Sequence, residues 1–317
     1  MSEAPITTPK RNILEKIFLS PNERRLRAGW RLLIHTILLL VFVTLASFVV
    51  IAPIFLLGLK SSTADDGIQM LLNELITIIG VTAATFVARR LVDRRSIASL
   101  GLQLNVRMIY DLLAGIAITF VMMGLIFLAE LALGWTTFTG FAWQSQTATA
   151  VAGGTLLWLV IFLMVGWVEE LLSRGYHLQN LADGLNLFWG VLISSSIFGL
   201  MHLGNPGASW VSTLGILLAG LFLALPYVLT RQLWLSIGLH IGWNFFEGVV
   251  FGFPVSGLGT FRLLLHNVSG PELWTGGIFG PEAGLVIIPT LLIGAGLVYG
   301  YTRLNIRMTL SGQTQSD

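Results

Sequence analysis

Long apolar runs, separated by short polar or charged stretches, dominate the chain. A helix that crosses a bilayer needs about 20 mostly apolar residues, and eight runs come close enough to that length to predict one helix each. The runs are continuous and lack the short alternating strands of a membrane β-barrel. The pattern therefore predicts an all-α fold, a polytopic transmembrane helical bundle. The predicted spans are roughly 32–59, 69–88, 108–135, 154–180, 187–203, 208–229, 233–254 and 283–302.

Composition agrees with burial in lipid. Of the 317 residues, 55% are hydrophobic and 11% are charged, whereas a soluble domain carries about 25% charged residues. The lipid bilayer is thus the first expected partner. We divide the chain into a basic tail, a first group of spans, a helical core, an external loop, and a last span with a polar tail. These segments cover 1–30, 31–109, 110–254, 255–282 and 283–317.

The basic residues predict the orientation of the bundle. With eight spans, sixteen of the 18 Lys and Arg residues fall on one side, and only Lys60 and Arg262 fall on the other. Cytoplasmic loops are enriched in Lys and Arg, so both termini are predicted to be cytoplasmic. The net charge of +2 is read as part of this topology signal, and no nucleic-acid partner is expected.

Two adjacent carboxylates in the fourth span are the first chemical signal. Glu169 and Glu170 lie in an apolar helix, where ionisable groups are costly and usually face a cavity or a partner. Arg174 follows Glu170 by four residues and shares its helix face. We therefore predict that Glu170 and Arg174 form a structural pair and that Glu169 is the free, working carboxylate.

Polar residues in two other spans complete a candidate site. His202 ends the fifth span, and His240 and Asn244 lie one helical turn apart in the seventh. Helical rise puts Glu169, His202 and His240 at depths of roughly 18, 23 and 12 Å from the cytoplasmic ends. Helix tilt of about 20° can close much of that spread, so the four groups are predicted to share one cavity.

Two chemistries fit these residues. A carboxylate beside an imidazole can activate water as a general base, while a second imidazole and a carboxamide stabilise an oxyanion. Alternatively, Glu169, His202 and His240 could hold a divalent metal such as zinc, with one position open for water. The chain contains no cysteine, which excludes thiolate ligands, disulfides and a cysteine nucleophile. Sequence leaves the two chemistries open.

Three motifs in these spans resemble the CPBP family, the CAAX protease and bacteriocin-processing (Abi) intramembrane proteases, which include type II CAAX prenyl endopeptidases. The resemblance covers roughly residues 110–250. The motifs are Glu169-Glu170-x-x-x-Arg174, Phe198-x-x-x-His202 and His240-x-x-x-Asn244.

The resemblance implies a hydrolase, an intramembrane endopeptidase acting on a membrane-associated or lipidated protein or peptide. It implies that Glu169 and His202 activate water, that His240 and Asn244 stabilise the oxyanion, and that Glu170 and Arg174 brace the helix. It also implies residence in a bacterial inner membrane. Members are described both as metalloproteases and as metal-independent. Because asparagine is a poor zinc ligand and a good oxyanion donor, we favour the glutamate-centred mechanism.

Other functions remain open from sequence alone. Intramembrane Glu, His and Arg also build proton relays, so an ion- or proton-coupled transporter is an alternative, although no internal repeat supports it. A non-catalytic membrane immunity or scaffold protein is another.

Some polar residues are given minor roles. Glu247 lies on the same helical stripe as His240 and is a candidate for a supporting role beside it. Glu74 and Glu130 are expected to be interfacial or paired within the bundle. The Gly238/Gly242 and Gly296/Gly300 pairs are expected to bring helices into close contact.

Overall fold

The computed structural model describes residues 12–313 apart from 22, 24 and 57–65, with side chains described up to residue 304. The polar extremes of both tails therefore lie outside the described residues. The described part is helical apart from one two-stranded sheet. The helices are α1 Ile13–Phe18, α2 Ala28–Leu56, α3 Asp66–Val87, α4 Val106–Ala132, α5 Ala148–Glu170, α6 Leu178–Gly184, α7 Leu187–Met201, α8 Trp210–Thr230, α9 Trp234–Asn244, α10 Glu272–Thr275 and α11 Ile287–Gln313.

Seven helical stretches of the described chain are long and apolar enough to cross a membrane, and they coincide with seven of the eight predicted spans. The prediction of a polytopic helical bundle is confirmed. The seven stretches are Ala28–Leu56, Asp66–Val92, Val106–Ala132, Ala148–Gly184, Leu187–Gly204, Trp210–Thr230 and Ile287–Leu304.

The remaining predicted span, 233–254, forms a shorter helix at the centre of the bundle. It consists of α9, continued by a π-helical turn over Phe245–Val250. Every residue of α9 is buried by protein. The predicted helix therefore exists, but it differs from the other spans in having no face left for lipid.

Glycine lets α9 lie directly against α4. A Cβ atom on Gly238 would come within 2.4 Å of the Leu112 carbonyl oxygen, and one on Gly115 within 2.4 Å of the Leu239 nitrogen. Gly242 is packed equally tightly against α4. The packing prediction for Gly238/Gly242 is confirmed. The one for Gly296/Gly300 is wrong, because a Cβ on either residue would meet nothing within 4 Å.

The two ends of the bundle differ in chemistry. At one end, hereafter the basic end, Arg31 and Arg89 are buried and both pair with Asp93, while Arg25 and Arg95 pair with Asp183. At the other end, hereafter the hairpin end, two strands that follow α4 and α9 form an antiparallel pair. They are β1 Thr136–Phe141 and β2 Leu264–Val268.

α4 and α9 both run from the basic end to the hairpin end. The backbone before α4 meets the start of α9 where the Leu233 amide donates to the Gly101 carbonyl at 2.9 Å. Beyond the two helices, β1 and β2 pair with each other. The segment 251–286 then folds over the hairpin end through β2, α10 and two 3₁₀ turns. The external loop that sequence predicted over 255–282 is therefore an ordered cover.

Candidate active site

The predicted site residues meet where α5, α7 and α9 approach one another. Glu169 is the last but one residue of α5, His202 follows α7 directly, and His240 and Asn244 lie in α9. Glu169 Oε2 is 3.5 Å from His240 Nε2 and 4.0 Å from His202 Nε2. The three helices thus bring one carboxylate oxygen between two imidazoles.

A cavity of about 260 Å³ opens beside these groups. All four residues predicted to be catalytic line it: Glu169, His202, His240 and Asn244. Most of the remaining wall is apolar, and Phe162, Phe198 and Trp243 contribute aromatic rings. The space is large enough for a short piece of extended peptide and several waters.

Exposure separates the two adjacent glutamates. The Glu169 side chain keeps 29% of its surface accessible, whereas the side chains of Glu170 and Arg174 keep 0% and 1%. Helical geometry turns consecutive residues by about 100°, so only one of the pair can face the cavity. The assignment of Glu169 as the accessible carboxylate agrees with this geometry.

Glu170 connects the structural pair to the site. Its Oε1 accepts from Arg174 Nη1 at 2.7 Å and also from His240 Nδ1 at 2.8 Å. Arg174 donates further to the Gly220 carbonyl of α8 at 2.9 Å. The expected brace along α5 is present, and it also fixes the ring of His240. Sequence had suggested Glu247 for that supporting role.

The helix around this brace is locally widened. A π-helical turn over Leu171–His177 begins directly after Glu170, and another over Phe245–Val250 begins directly after Asn244. π-helical turns are rare in proteins overall, and those that occur are often found at functional sites. Two of the three site-bearing helices, α5 and α9, therefore change their winding directly after a predicted site residue.

Phe198 explains the spacing of its motif. Its carbonyl oxygen lies 2.8 Å from His202 Nδ1. Because a carbonyl only accepts, Nδ1 carries the hydrogen and Nε2 faces Glu169. The Phe198 ring also lies under the guanidinium of Arg174, 4.5 Å from its central carbon, and edge-on to His240. One residue therefore orients His202 and packs against two other site groups.

Glu74 from α3, Ser256 and Glu282 are among the polar lining residues that were not predicted as part of the site. Glu74 was expected to be interfacial or paired within the bundle, although a carboxylate in an apolar span is itself a functional signal. Ser256 and Glu282 come from the cover over the hairpin end. No motif or helical period in that segment points to the cavity.

Glu282 is a buried carboxylate in the cavity wall, whereas Glu169 is partly exposed. Glu282 accepts from Trp243 Nε1 at 3.0 Å and from the amide and hydroxyl of Ser256 at 2.7 and 2.5 Å. Burial raises the pKa of Glu282, and the hydrogen bonds from Ser256 oppose that rise. Glu247 is fully buried close to Glu282, does not line the cavity, and makes no hydrogen bond to His240.

Glu169, His202 and His240 are the donor set that the sequence offered for a metal ion. Among the residues whose side chains are described, no group of three or more His, Cys, Asp or Glu is placed to hold a metal ion. Glu169 Oε2 and His202 Nε2 are 4.0 Å apart, so one water lying beside them in the cavity can hydrogen-bond to both atoms.

Comparison with known families gives a match at this site. Residues 151–246 match the family model described as Rce1-like, type II CAAX prenyl endopeptidase Rce1-like. The segment is Rce1-like. It contains all seven residues of the three motifs and ends one residue before Glu247. No curated protein matches the chain in a sequence search.

The Rce1-like segment and the fold agree on the broad class of protein. The chain is an integral membrane protein, and the family supports an intramembrane protease with a membrane-associated substrate. The match over residues 151–246 agrees with the resemblance of the three motifs to type II CAAX prenyl endopeptidases. Ser256, Glu282 and Glu74 lie outside it, so the family match gives them no role.

Proposed function

We propose that this protein is an endopeptidase that hydrolyses a peptide bond of a membrane-associated or lipidated protein, using a water activated by Glu169 and His202. The observation that carries the proposal is the placement of Glu169 Oε2 between two imidazoles in a partly enclosed cavity. A bacterial inner membrane is its proposed location.

Attack on the peptide begins with a water between Glu169 and His202. Glu169 Oε2 accepts one proton of the water, and His202 Nε2 accepts a hydrogen bond from the other O–H. The hydroxide equivalent adds to the carbonyl carbon, and the carbonyl oxygen takes the negative charge. Phe198 keeps His202 in the required orientation by accepting from Nδ1.

His240 and Asn244 stabilise that charge. His240 donates its Nδ1 hydrogen to Glu170, so it acts as an imidazolium and donates to the oxyanion from Nε2, which points toward Glu169 and the cavity. Asn244 lies one turn further along α9 and lines the same wall. Donors fixed in advance at a developing oxyanion are worth about 10²–10³ in rate each. The intermediate then collapses, the C–N bond breaks, and the amine leaves with the proton held by Glu169.

The first test is cleavage of lipidated and membrane-anchored peptides by purified protein in detergent. Glu169→Gln keeps the size of the side chain but cannot take a proton, and we expect its rate to fall by about 10²–10⁴. Glu130→Gln is the matched control. It removes a carboxylate from another spanning helix, α4, where Glu130 is buried, accepts from Thr136 and does not line the cavity.

Two outcomes would contradict the mechanism. Full activity in Glu169→Gln would remove the proposed base. Loss of wild-type activity in a chelator, restored by a divalent metal, would replace the glutamate-centred mechanism with metal-dependent hydrolysis and keep the peptidase. Cleavage that survives the chelator and disappears in Glu169→Gln supports the proposal as stated.

A further inference from the structure

Glu282 lies outside the Rce1-like segment and yet forms part of the cavity wall. It sits in a 3₁₀ turn over Pro281–Ala283, and only 4% of its surface is exposed. A buried carboxylate is costly unless its oxygens are hydrogen-bonded. Both of its oxygens accept hydrogen bonds, one from α9 and the other from the cover over the hairpin end.

The first bond reaches the helix that carries the proposed oxyanion donors. Trp243 donates to Glu282 Oε1 at 3.0 Å. Trp243 immediately precedes Asn244 and follows His240 by three residues, and its own ring is 4% exposed. Glu282 therefore holds the residue between the two proposed donors.

The second bond holds the cover. Glu282 Oε2 accepts from the Ser256 amide and hydroxyl. Ser256 has a φ of +48°, in the left-handed region that non-glycine residues rarely adopt. Such a conformation persists where surrounding contacts fix it, and Glu282 supplies two of those contacts.

The network continues to the other proposed catalytic helix. The Ser256 carbonyl accepts from the side-chain Nδ2 of Asn205 at 3.0 Å. The backbone N–H of Asn205 donates to the His202 carbonyl at 3.1 Å. Hydrogen bonds thus link Trp243, Glu282, Ser256 and Asn205 in series. They join the end of α7, where His202 lies, to the middle of α9, where His240 and Asn244 lie.

We propose that Glu282 is a positioning residue of the active site, which sets the distance between His202 and the His240–Asn244 pair through Ser256 and Trp243. The assignment rests on the proposed function for its catalytic consequence. The side chain acts through its neighbours and does not itself meet the reacting atoms.

The chemistry of the side chain suggests a sharp substitution. Both carboxylate oxygens accept, whereas the amide group of glutamine has one accepting oxygen and one donating nitrogen. Glu282→Gln therefore turns a donor toward Trp243 or Ser256 whichever way the amide lies. Trp243→Phe removes the same link from the other side. The matched control is Glu272→Gln, an exposed carboxylate in the same cover.

The test combines hydrogen exchange with kinetics on the full-length protein in detergent. In Glu282→Gln we expect faster amide exchange in the peptide containing Ser256, and a kcat reduced about 10–100-fold with KM changed less than about threefold, since misplacing catalytic groups costs rate more than binding. Glu282→Gln and Trp243→Phe remove the same hydrogen bond. The kcat of the double variant should therefore be close to that of whichever single variant has the lower kcat. Glu272→Gln should match wild type in both measurements.

Each outcome decides the proposal. Unchanged exchange at Ser256 in Glu282→Gln overturns it regardless of any activity, and faster exchange with unchanged kcat overturns the positioning role. Equal losses in Glu272→Gln would show that any charge in the cover has this effect, which also overturns it. If wild type and Glu169→Gln cleave nothing, the proposed function fails, and the exchange measurement alone decides whether Glu282 holds the cavity wall.

Discussion

At the scale of single residues, the adjacent glutamates show how one position along a helix separates support from chemistry. Glu170 is completely buried and bonded to both Arg174 and His240, whereas Glu169 faces the cavity. The same change to glutamine at these two positions should therefore have different effects.

We expect Glu170→Gln to destabilise the protein. Breaking a buried ion pair by removing one partner leaves an uncompensated charge, here on Arg174, and costs about 3–5 kcal/mol. Glu169→Gln should leave stability near wild type, because its side chain is partly exposed and makes no ion pair with Arg or Lys in the described structure. Thermal unfolding of both variants in detergent measures the contrast. Equal midpoints for the two variants would contradict it.

At the scale of helices and strands, the contact between α4 and α9 sets the position of His240 and Asn244. Gly238 lies two residues before His240, and its Cα hydrogen faces the Leu112 backbone of α4. The two helices can keep their separation only while this residue has no side chain.

Gly238→Ala is expected to lower stability by about 1–3 kcal/mol, the usual cost of overpacking a close contact, and to reduce activity because α9 must shift. Gly296→Ala is the matched control. It lies in α11 with open space beside it, and alanine favours a helix over glycine by about 1 kcal/mol. The unfolding midpoint should fall in Gly238→Ala and rise in Gly296→Ala. A lower midpoint for Gly296→Ala would contradict the open space beside Gly296 in α11.

Much of the helical architecture follows from the sequence, because lipid imposes a minimum length and a low charge on each spanning segment. The motif residues could be predicted as one site for a similar reason, since buried polar groups in different spans need one another. Glu282 and Ser256 could not, because their place depends on the pairing of β1 with β2, which lie more than 120 residues apart and carry no local signal for the cavity. Glu74 was not predicted as a cavity residue, because its nearness to a helix end suggested the interface.

At the scale of the whole molecule, α9 determines how many times the chain crosses the bilayer. By length and hydropathy the described chain has seven spans, which would leave the termini on opposite sides. Because α9 runs beside α4 from the basic end to the hairpin end, we propose that it adds an eighth crossing. In this proposal both termini lie on one side, and the distribution of Lys and Arg assigns that side to the cytoplasm.

This orientation predicts that a reporter active only in the cytoplasm will be active when fused at either terminus, and inactive when inserted in the hairpin end near Glu272. An insertion near Arg231, between α8 and α9, should be active and serves as the internal control. Activity at one terminus only would mean that α9 does not cross.

The acidic partner shared at the basic end also constrains biosynthesis. Arg95 bonds to Asp183, which lies 88 residues later in the chain, and Arg25 and Arg31 also pair with that aspartate. While a ribosome is still making α4 and α5, these guanidinium groups have no such counterion. The contacts that α2 and the segment after α3 make with α6 can therefore be completed only after the chain through α6 has been translated, whereas the Arg31–Asp93 pair can form earlier.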